Sequence, residues 1–136
     1  MIKMSAVKAR VRLRGTKTGY SSDAVLADSG ARMSLIDSSI AERIGVEYTG
    51  REINFVSISG HTVKALEAVV VELEIESEIL KYEAIAVAKM PKTIKETLRR
   101  NELDENMVVG VLTLERANMM PDTTTGKLKK VESFIV

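Results

Sequence analysis

The chain has 136 residues, which is enough for one domain, and we expect residues 1–136 to form it. With 45% hydrophobic and 29% charged residues, the composition is typical of a globular protein. The 20 lysines and arginines nearly balance the 19 acidic residues, so charge gives no reason to expect a nucleic-acid or membrane partner.

The chain has no cysteine and a single histidine, His61. This excludes disulfides, thiolate metal sites and a cysteine nucleophile, and it argues against a histidine-rich metal site or a serine triad. We therefore expect no metal and no cofactor. If the protein is an enzyme, catalysis by carboxylic acid side chains is the chemistry that its composition still allows. The first residues lack a signal-peptide core, and no apolar run approaches the roughly 20 residues of a spanning helix, so we expect a cytoplasmic protein.

The first predicted strand covers residues 5–14, where apolar and basic residues alternate. Its polar face carries Lys8, Arg10, Arg12 and Arg14. A row of basic residues could bind phosphates, but no aromatic residues are interleaved with it. A solvated strand face is the favoured interpretation, and a nucleic-acid-binding β domain is kept as the last alternative.

The second predicted strand, over about residues 23–28, ends on the sequence Asp-Ser-Gly-Ala at residues 28–31. A carboxylate at the end of an apolar strand must be paired, hydrogen-bonded or shifted in pKa. Ser29 can donate a hydrogen bond, and Gly30 lets the backbone turn sharply. We expect Asp28 to be a hydrogen-bonded carboxylate at a tight turn, with a purely structural turn acid as the alternative.

The next residues predict a helix and then a hairpin. One of Asp37, Ser38 and Ser39 is expected to cap a short helix over residues 40–44, which Gly45 ends. Strands are predicted over residues 52–58 and 62–76. Because Ser59, Gly60 and His61 lie between them, we expect a β-hairpin with a glycine at its tip.

The last third of the chain is expected to alternate between strands and short helices. A strand over about 79–88 stops before Pro91, and the charged residues 92–100 predict a surface helix. The run Met107-Val108-Val109-Gly110 predicts a short strand, followed by a helix over 112–119. A turn over 122–126, with an aspartate and a glycine but no buried strand before it, leads to a last strand over 127–136.

Taken together, these features resemble the retroviral-type aspartic peptidases. The resemblance covers about residues 20–135 and depends on Asp-Ser-Gly-Ala, the helix near residues 41–46, the glycine-tipped hairpin and Met107-Val108-Val109-Gly110 before the final helix and strand. The cellular retropepsin-like domains are the closer likeness, because they have Asp-Ser-Gly-Ala where viral enzymes mostly have Asp-Thr-Gly-Ala. The fold this implies is mostly β, a closed acid-protease barrel with a flap hairpin and two or three short helices.

The resemblance also implies an activity, that of an aspartic endopeptidase acting on peptides or proteins as a homodimer with one Asp28 from each chain. It assigns active-site support to Ser29, Gly30 and Ala31. It assigns the flap to Ile58, Ser59, Gly60 and His61, and a substrate-pocket wall to Val108, Val109 and Gly110. A catalytically silent domain that dimerises or binds peptides is the alternative.

Three positions depart from the family pattern. Arg32 stands where viral enzymes place an acid directly after the motif, and Val111 stands where they have the arginine that pairs with that acid. Leu112 replaces an Asp or Asn that relatives often carry. Both ends of an ion pair at the substrate site are therefore absent from this sequence.

Overall fold

The computed structural model describes residues 6–56 and 62–132. In the first half of the chain the elements are β1 Lys8–Arg14, β2 Gly19–Ala27, β3 Leu35–Asp37, α1 Ser38–Ile44, β4 Glu47–Val56 and β5 Thr62–Ile75. In the second half they are β6 Glu78–Ala88, α2 Lys92–Arg100, β7 Met107–Val109, α3 Val111–Arg116, β8 Met119–Asp122 and β9 Lys127–Lys130. The predicted mostly-β class with short helices is confirmed.

Six strands form a closed barrel. They follow one another in the order β1, β2, β7, β3, β6, β5, and pairing of β5 with β1 completes the ring. β5 is long enough to pair with two strands along the same edge. Its residues 72–75 pair with β1, and its residues 62–69 pair with β4. The β4–β5 hairpin is therefore an arm attached to the barrel wall, and it leads to residues 57–61, outside the described residues.

β1 shows why its sequence specifies a barrel strand. Val7, Ala9, Val11 and Leu13 are buried in the main core inside the barrel. The basic residues between them are exposed, and two of them lie beside glutamates at the end of β5 and in the turn after it. Arg14 and Glu72 are 3.7 Å apart, and Arg10 and Glu76 are 3.4 Å apart. The charge compensation supports the interpretation of this row as a solvated strand face.

The turn between β5 and β6 is conformationally strained. Glu76 and Ser77 have φ values of 46° and 76°, the left-handed values of a two-residue hairpin turn that favours Asn-Gly. The backbone amide of Glu76 donates to the carbonyl of Arg10, and the amide of Arg10 donates to the Glu76 carboxylate at 2.9 Å. These bonds to β1 hold the turn at the seam where the barrel closes.

The C-terminal elements differ from the sequence prediction. The helix predicted over 112–119 ends at Arg116, because Asn118 takes a left-handed φ of 55°. Met119–Asp122 then pairs with Lys127–Lys130 as a separate two-stranded sheet across the predicted turn. The last strand is thus shorter than the predicted 127–136, and residues 133–136 lie outside the described residues.

Candidate active site

Asp28 is positioned by the strand order of the barrel. β7 lies between β2 and β3, parallel to the former and antiparallel to the latter. Because β2 and β7 run parallel, their ends Ala27 and Val109 lie side by side, and the backbone amide of Asp28 donates to the carbonyl of Val109 at 2.9 Å. The loop of residues 28–34, the Asp28 loop, therefore begins beside Gly110.

The side chain of Asp28 makes one hydrogen bond within the described residues. Its Oδ1 accepts from the backbone amide of Gly30 at 2.8 Å, and the amide of Ala31 donates to the Asp28 carbonyl at 3.1 Å, which closes a tight turn. The predicted hydrogen-bonded carboxylate at a turn is confirmed, but the donor is the backbone amide of Gly30 in place of the expected Ser29 hydroxyl. The carboxylate itself is half-buried, while Ser29 and Gly30 are exposed, so the loop presents this acid at the surface of the single chain.

Backbone contacts with α3 fix the Asp28 loop from the other side. The amide of Val111 donates to the carbonyl of Ala31 at 2.7 Å, and the amide of Leu112 donates to the carbonyl of Arg32 at 3.0 Å. A Cβ on Gly110 would lie 2.5 Å from the backbone of Met33, far inside the contact limit. Only glycine fits at this position, and its presence lets the loop pack directly on the start of α3.

Two buried hydroxyl groups complete this support. Ser34 and Thr113 are each 1% exposed, and their oxygens are 2.6 Å apart. Ser34 Oγ also accepts from the amide of Gly110 at 3.1 Å. Neither residue was predicted from the sequence. The sequence pattern that could have identified them is a polar residue between two apolar ones, in Met33-Ser34-Leu35 and Leu112-Thr113-Leu114. This pattern becomes informative only when β3 and β7 are known to be neighbours.

The apolar residues next to the site belong to a second cluster, outside the main core. Leu26, Leu35 and Val108 form its part nearest the Asp28 loop. Ala31 packs partly buried against it, as do residues of the β4–β5 arm, namely Ile53, Phe55 and Val63. Val109, expected to form part of the pocket wall, has its side chain fully buried in the main core instead, because neighbouring residues of a strand face opposite ways. Of the three wall residues, Val108 alone has its side chain in this second cluster.

The predicted flap is described only in its arms. Val56 pairs with Thr62 as the last described pair of the β4–β5 hairpin, and Val56 is 73% exposed. Ile58, Ser59, Gly60 and His61 lie outside the described residues.

A second aspartate, Asp37, has very different surroundings. It is 5% exposed and caps α1, as predicted for this segment, by accepting from the amide of Ser39 at 3.1 Å. Its other oxygen accepts from the amide of Met90 at 3.0 Å and lies 3.5 Å from Lys95 Nζ. Burial alone would raise the pKa of Asp37, but its hydrogen bonds and Lys95 together lower that pKa below the ordinary value of 3.8.

Polar contacts also anchor the start of β7. Lys95 donates to the side chain of Asn106 at 3.2 Å, and the amide of Asn106 donates to Asp104 at 2.7 Å. Asp104 in turn accepts from the hydroxyl of Tyr20. Burial and this hydrogen bond raise the pKa of Tyr20 to about 12. The network ties β2, α2 and β7 together at the end of the sheet opposite the Asp28 loop.

Within the described residues, two cavities of about 190 and 420 Å³ lie along β1, β2 and the loop that joins them, and neither includes Asp28. The same residues contain no cluster of three or more His, Asp or Glu side chains that could hold a metal ion. They also contain no helix with the length and apolar character needed to cross a membrane.

The comparisons with known proteins decide the family. The family model described as "Aspartyl protease" matches residues 9–115, which include the Asp28 loop, β7 and nearly all of α3. The chain belongs to this aspartyl protease family. The retropepsin-type resemblance of the sequence is thereby confirmed. No curated protein matches the chain.

A solved structure supports the fold of this aspartyl protease family member. The EIAV protease, in complex with the inhibitor HBY-793, superposes with a TM-score of 0.53 at 18% sequence identity. The match covers 85% of this chain and 92% of the viral one. At this identity the likeness concerns the fold, and the predicted retropepsin-like closed barrel is confirmed.

Proposed function

We propose that this protein is an aspartic endopeptidase of the retropepsin type, active as a homodimer in which each chain contributes Asp28. The proposal is supported above all by the surroundings of the Asp28 carboxylate. Asp28 is half-buried, its loop is held by backbone contacts of neighbouring elements, and its side chain has one hydrogen-bond partner within the described residues. A carboxylate that the fold positions but does not use for packing is available for chemistry.

Dimerisation supplies the second acid. Asp28 is the one aspartate of this chain that follows a buried strand within an Asp-Ser-Gly sequence, and acid catalysis of this type needs two carboxylates. The exposed Ser29 and Gly30 directly follow Asp28, so a second copy docked on this surface would bring the two loops face to face. Ser29 would then be free to donate its hydroxyl across the two-fold axis.

Two carboxylates about 3 Å apart cannot both be ionised, so the pair holds one proton and titrates as a unit. The ionised member removes a proton from a bound water, which attacks the peptide carbonyl. The protonated member hydrogen-bonds the oxygen on which negative charge develops, and its proton then passes to the leaving nitrogen. The hairpin arm would close over the peptide and exclude bulk water, with Val108 contributing to the pocket wall.

The alternative is a silent domain that dimerises or binds peptides. It is favoured by the absence of the family ion pair, since Arg32 and Val111 occupy its two positions. Such a module would use the same surface without hydrolysis.

Peptide hydrolysis by the full chain and by Asp28→Asn separates these functions. We expect Asn at this position to lower kcat/KM by about 10²–10⁴-fold, the usual contribution of general acid–base catalysis, without changing the sedimentation of the dimer. The matched control is Asp122→Asn, because Asp122 lies in a similar Asp-Thr turn and caps it by accepting from the amide of Thr124. Equal activity of wild type and Asp28→Asn would exclude the endopeptidase, and a monomer at all concentrations would exclude the shared site.

A further inference from the structure

Arg32 has a fixed position close to Asp28. The amide of Leu112 donates to its carbonyl at 3.0 Å, and the preceding residue, Ala31, is bonded to both Asp28 and Val111. A four-residue turn such as Asp28–Ala31 spans less than about 7 Å between its end Cα atoms, and one further residue adds about 3.8 Å. The Cα of Arg32 therefore lies within about 11 Å of that of Asp28, a length of about three residues in an extended peptide.

The guanidinium of Arg32 is available for a ligand. Arg32 is exposed, and its side chain has no hydrogen bond or ion pair within the described residues. Most other arginines have such partners, for example Arg51 with Glu67 at 3.1 Å and Arg116 with Glu83 at 2.6 Å. The positive charge at the edge of the site is thus unmatched by the protein's own acids.

The neighbour of Arg32 is apolar. Leu112 is 42% exposed and its backbone amide is bonded to the carbonyl of Arg32, so an exposed apolar residue and an exposed charged residue are neighbours. Together they suit a side chain with a methylene stem and a terminal carboxylate, because arginine binds carboxylates with two parallel hydrogen bonds.

We propose that Arg32 and Leu112 form a subsite that selects an acidic side chain, above all glutamate, in the peptide substrate. This inference depends on the proposed endopeptidase function, and it adds a substrate class to it. Arg32 is a specificity-determining residue here and takes no part in the chemical step.

The test uses matched peptides. A randomised decapeptide mixture first gives a sequence that the full chain cleaves, and Gln or Glu is then placed at each of the four positions on either side of the cut. We expect Glu to exceed Gln in kcat/KM by about tenfold or more at one position, as for a hydrogen bond between charged groups. In Arg32→Gln this ratio should fall to about one, and in Arg32→Glu it should invert. Arg12→Gln is the matched control, since Arg12 is an exposed arginine on β1, and its ratio should equal that of wild type.

Measuring the Glu-to-Gln ratio at several pH values shows whether the subsite recognises the charge of the glutamate or only its shape. The Glu preference should be complete above about pH 5.5 and fall to about one only near pH 2.5, because the peptide's glutamate is still partly ionised at pH 3.5 and binding to arginine lowers its pKa further. A preference that survives at low pH, or that persists in Arg32→Gln, would overturn the inference.

Failure of catalysis is distinguished from failure of selection by a binding measurement. Fluorescence anisotropy of the labelled Glu and Gln peptides with Asp28→Asn measures the preference without hydrolysis. Tighter binding of the Glu peptide that needs Arg32 supports the subsite even if no peptide is cleaved. Equal binding of both peptides overturns it, as does an Arg32→Gln variant that changes the dimer dissociation constant but not the Glu-to-Gln ratio.

Discussion

Asp28 and Asp37 are nine residues apart in the sequence, and each stands at the end of a strand before a turn or helix. The fold uses them differently. Asp37 is buried, accepts hydrogen bonds from Ser39 and Met90 and lies beside Lys95. Asp28 is half-buried and accepts one bond, from Gly30. A carboxylate with many partners holds elements together, whereas one with a single partner, in a loop that backbone contacts fix, is not needed for packing.

Substitution of the two aspartates should change the stability of the fold by very different amounts. Asp37→Ala should lower the free energy of unfolding by about 3–5 kcal/mol, because it leaves Lys95 and the Met90 amide without their buried partner and removes the cap of α1. Asp28→Asn should change it by no more than about 0.5 kcal/mol, since the amide oxygen can still accept from Gly30. Urea unfolding of both variants measures the contrast. Similar losses would mean that Asp28 is also a structural acid.

The Asp28 loop is held in place largely by its backbone, which packs against Gly110. Gly110→Ala should cost about 1–3 kcal/mol or more, because its Cβ would overlap the backbone of Met33. Gly30→Ala is the matched control. Its Cβ would lie 3.1 Å from the flexible carboxylate of Asp28, so thermal unfolding should show a loss below about 1 kcal/mol. If Gly110→Ala were as mild as Gly30→Ala, backbone packing would not be what fixes the loop.

The elements that could be predicted from the sequence are those with local signals. Alternation identified β1, helical spacing gave α2 with its observed bounds, and the cap at Asp37 follows from residue type. The turn at Asp28 was likewise predicted from Ser29 and Gly30. Each of these features depends on residues within a few positions of one another, so one sequence was enough.

Features that depend on distant strands were missed. β3 has three residues, and its pairing with β6 and β7 joins positions about 50 and 70 residues away, which no local pattern reports. The contact of Ser34 with Thr113 and the inward direction of Val109 follow from the same strand order. The candidate acid was therefore predictable from the sequence, but its support was not.

The stability that Asp37 contributes should depend on pH. The folded state lowers the pKa of Asp37 below 3.8, so its ionised form stabilises the fold. That stabilisation is complete above the ordinary value and is lost as pH falls through the lower, folded value. The free energy of unfolding should thus fall more steeply between about pH 4 and pH 2 in wild type than in Asp37→Asn. Parallel pH profiles would show that the surroundings of Asp37 do not favour its charge.

A smaller change in stability is expected from the β5–β6 turn, which lies away from both aspartates. Ser77→Gly should raise the free energy of unfolding by up to about 1 kcal/mol, because glycine adopts the φ of 76° found there without the steric cost of a Cβ. The greater freedom of glycine in the unfolded chain offsets part of this gain. Ser77→Ala is the control and should not stabilise, since alanine keeps the Cβ that disfavours this conformation. In the stabilised background Asp37→Ala should stay folded over a wider range of urea, and its loss relative to Asp28→Asn should be unchanged, because the β5–β6 turn contacts neither aspartate. A changed difference would show that the turn and one of the acids are coupled through the barrel.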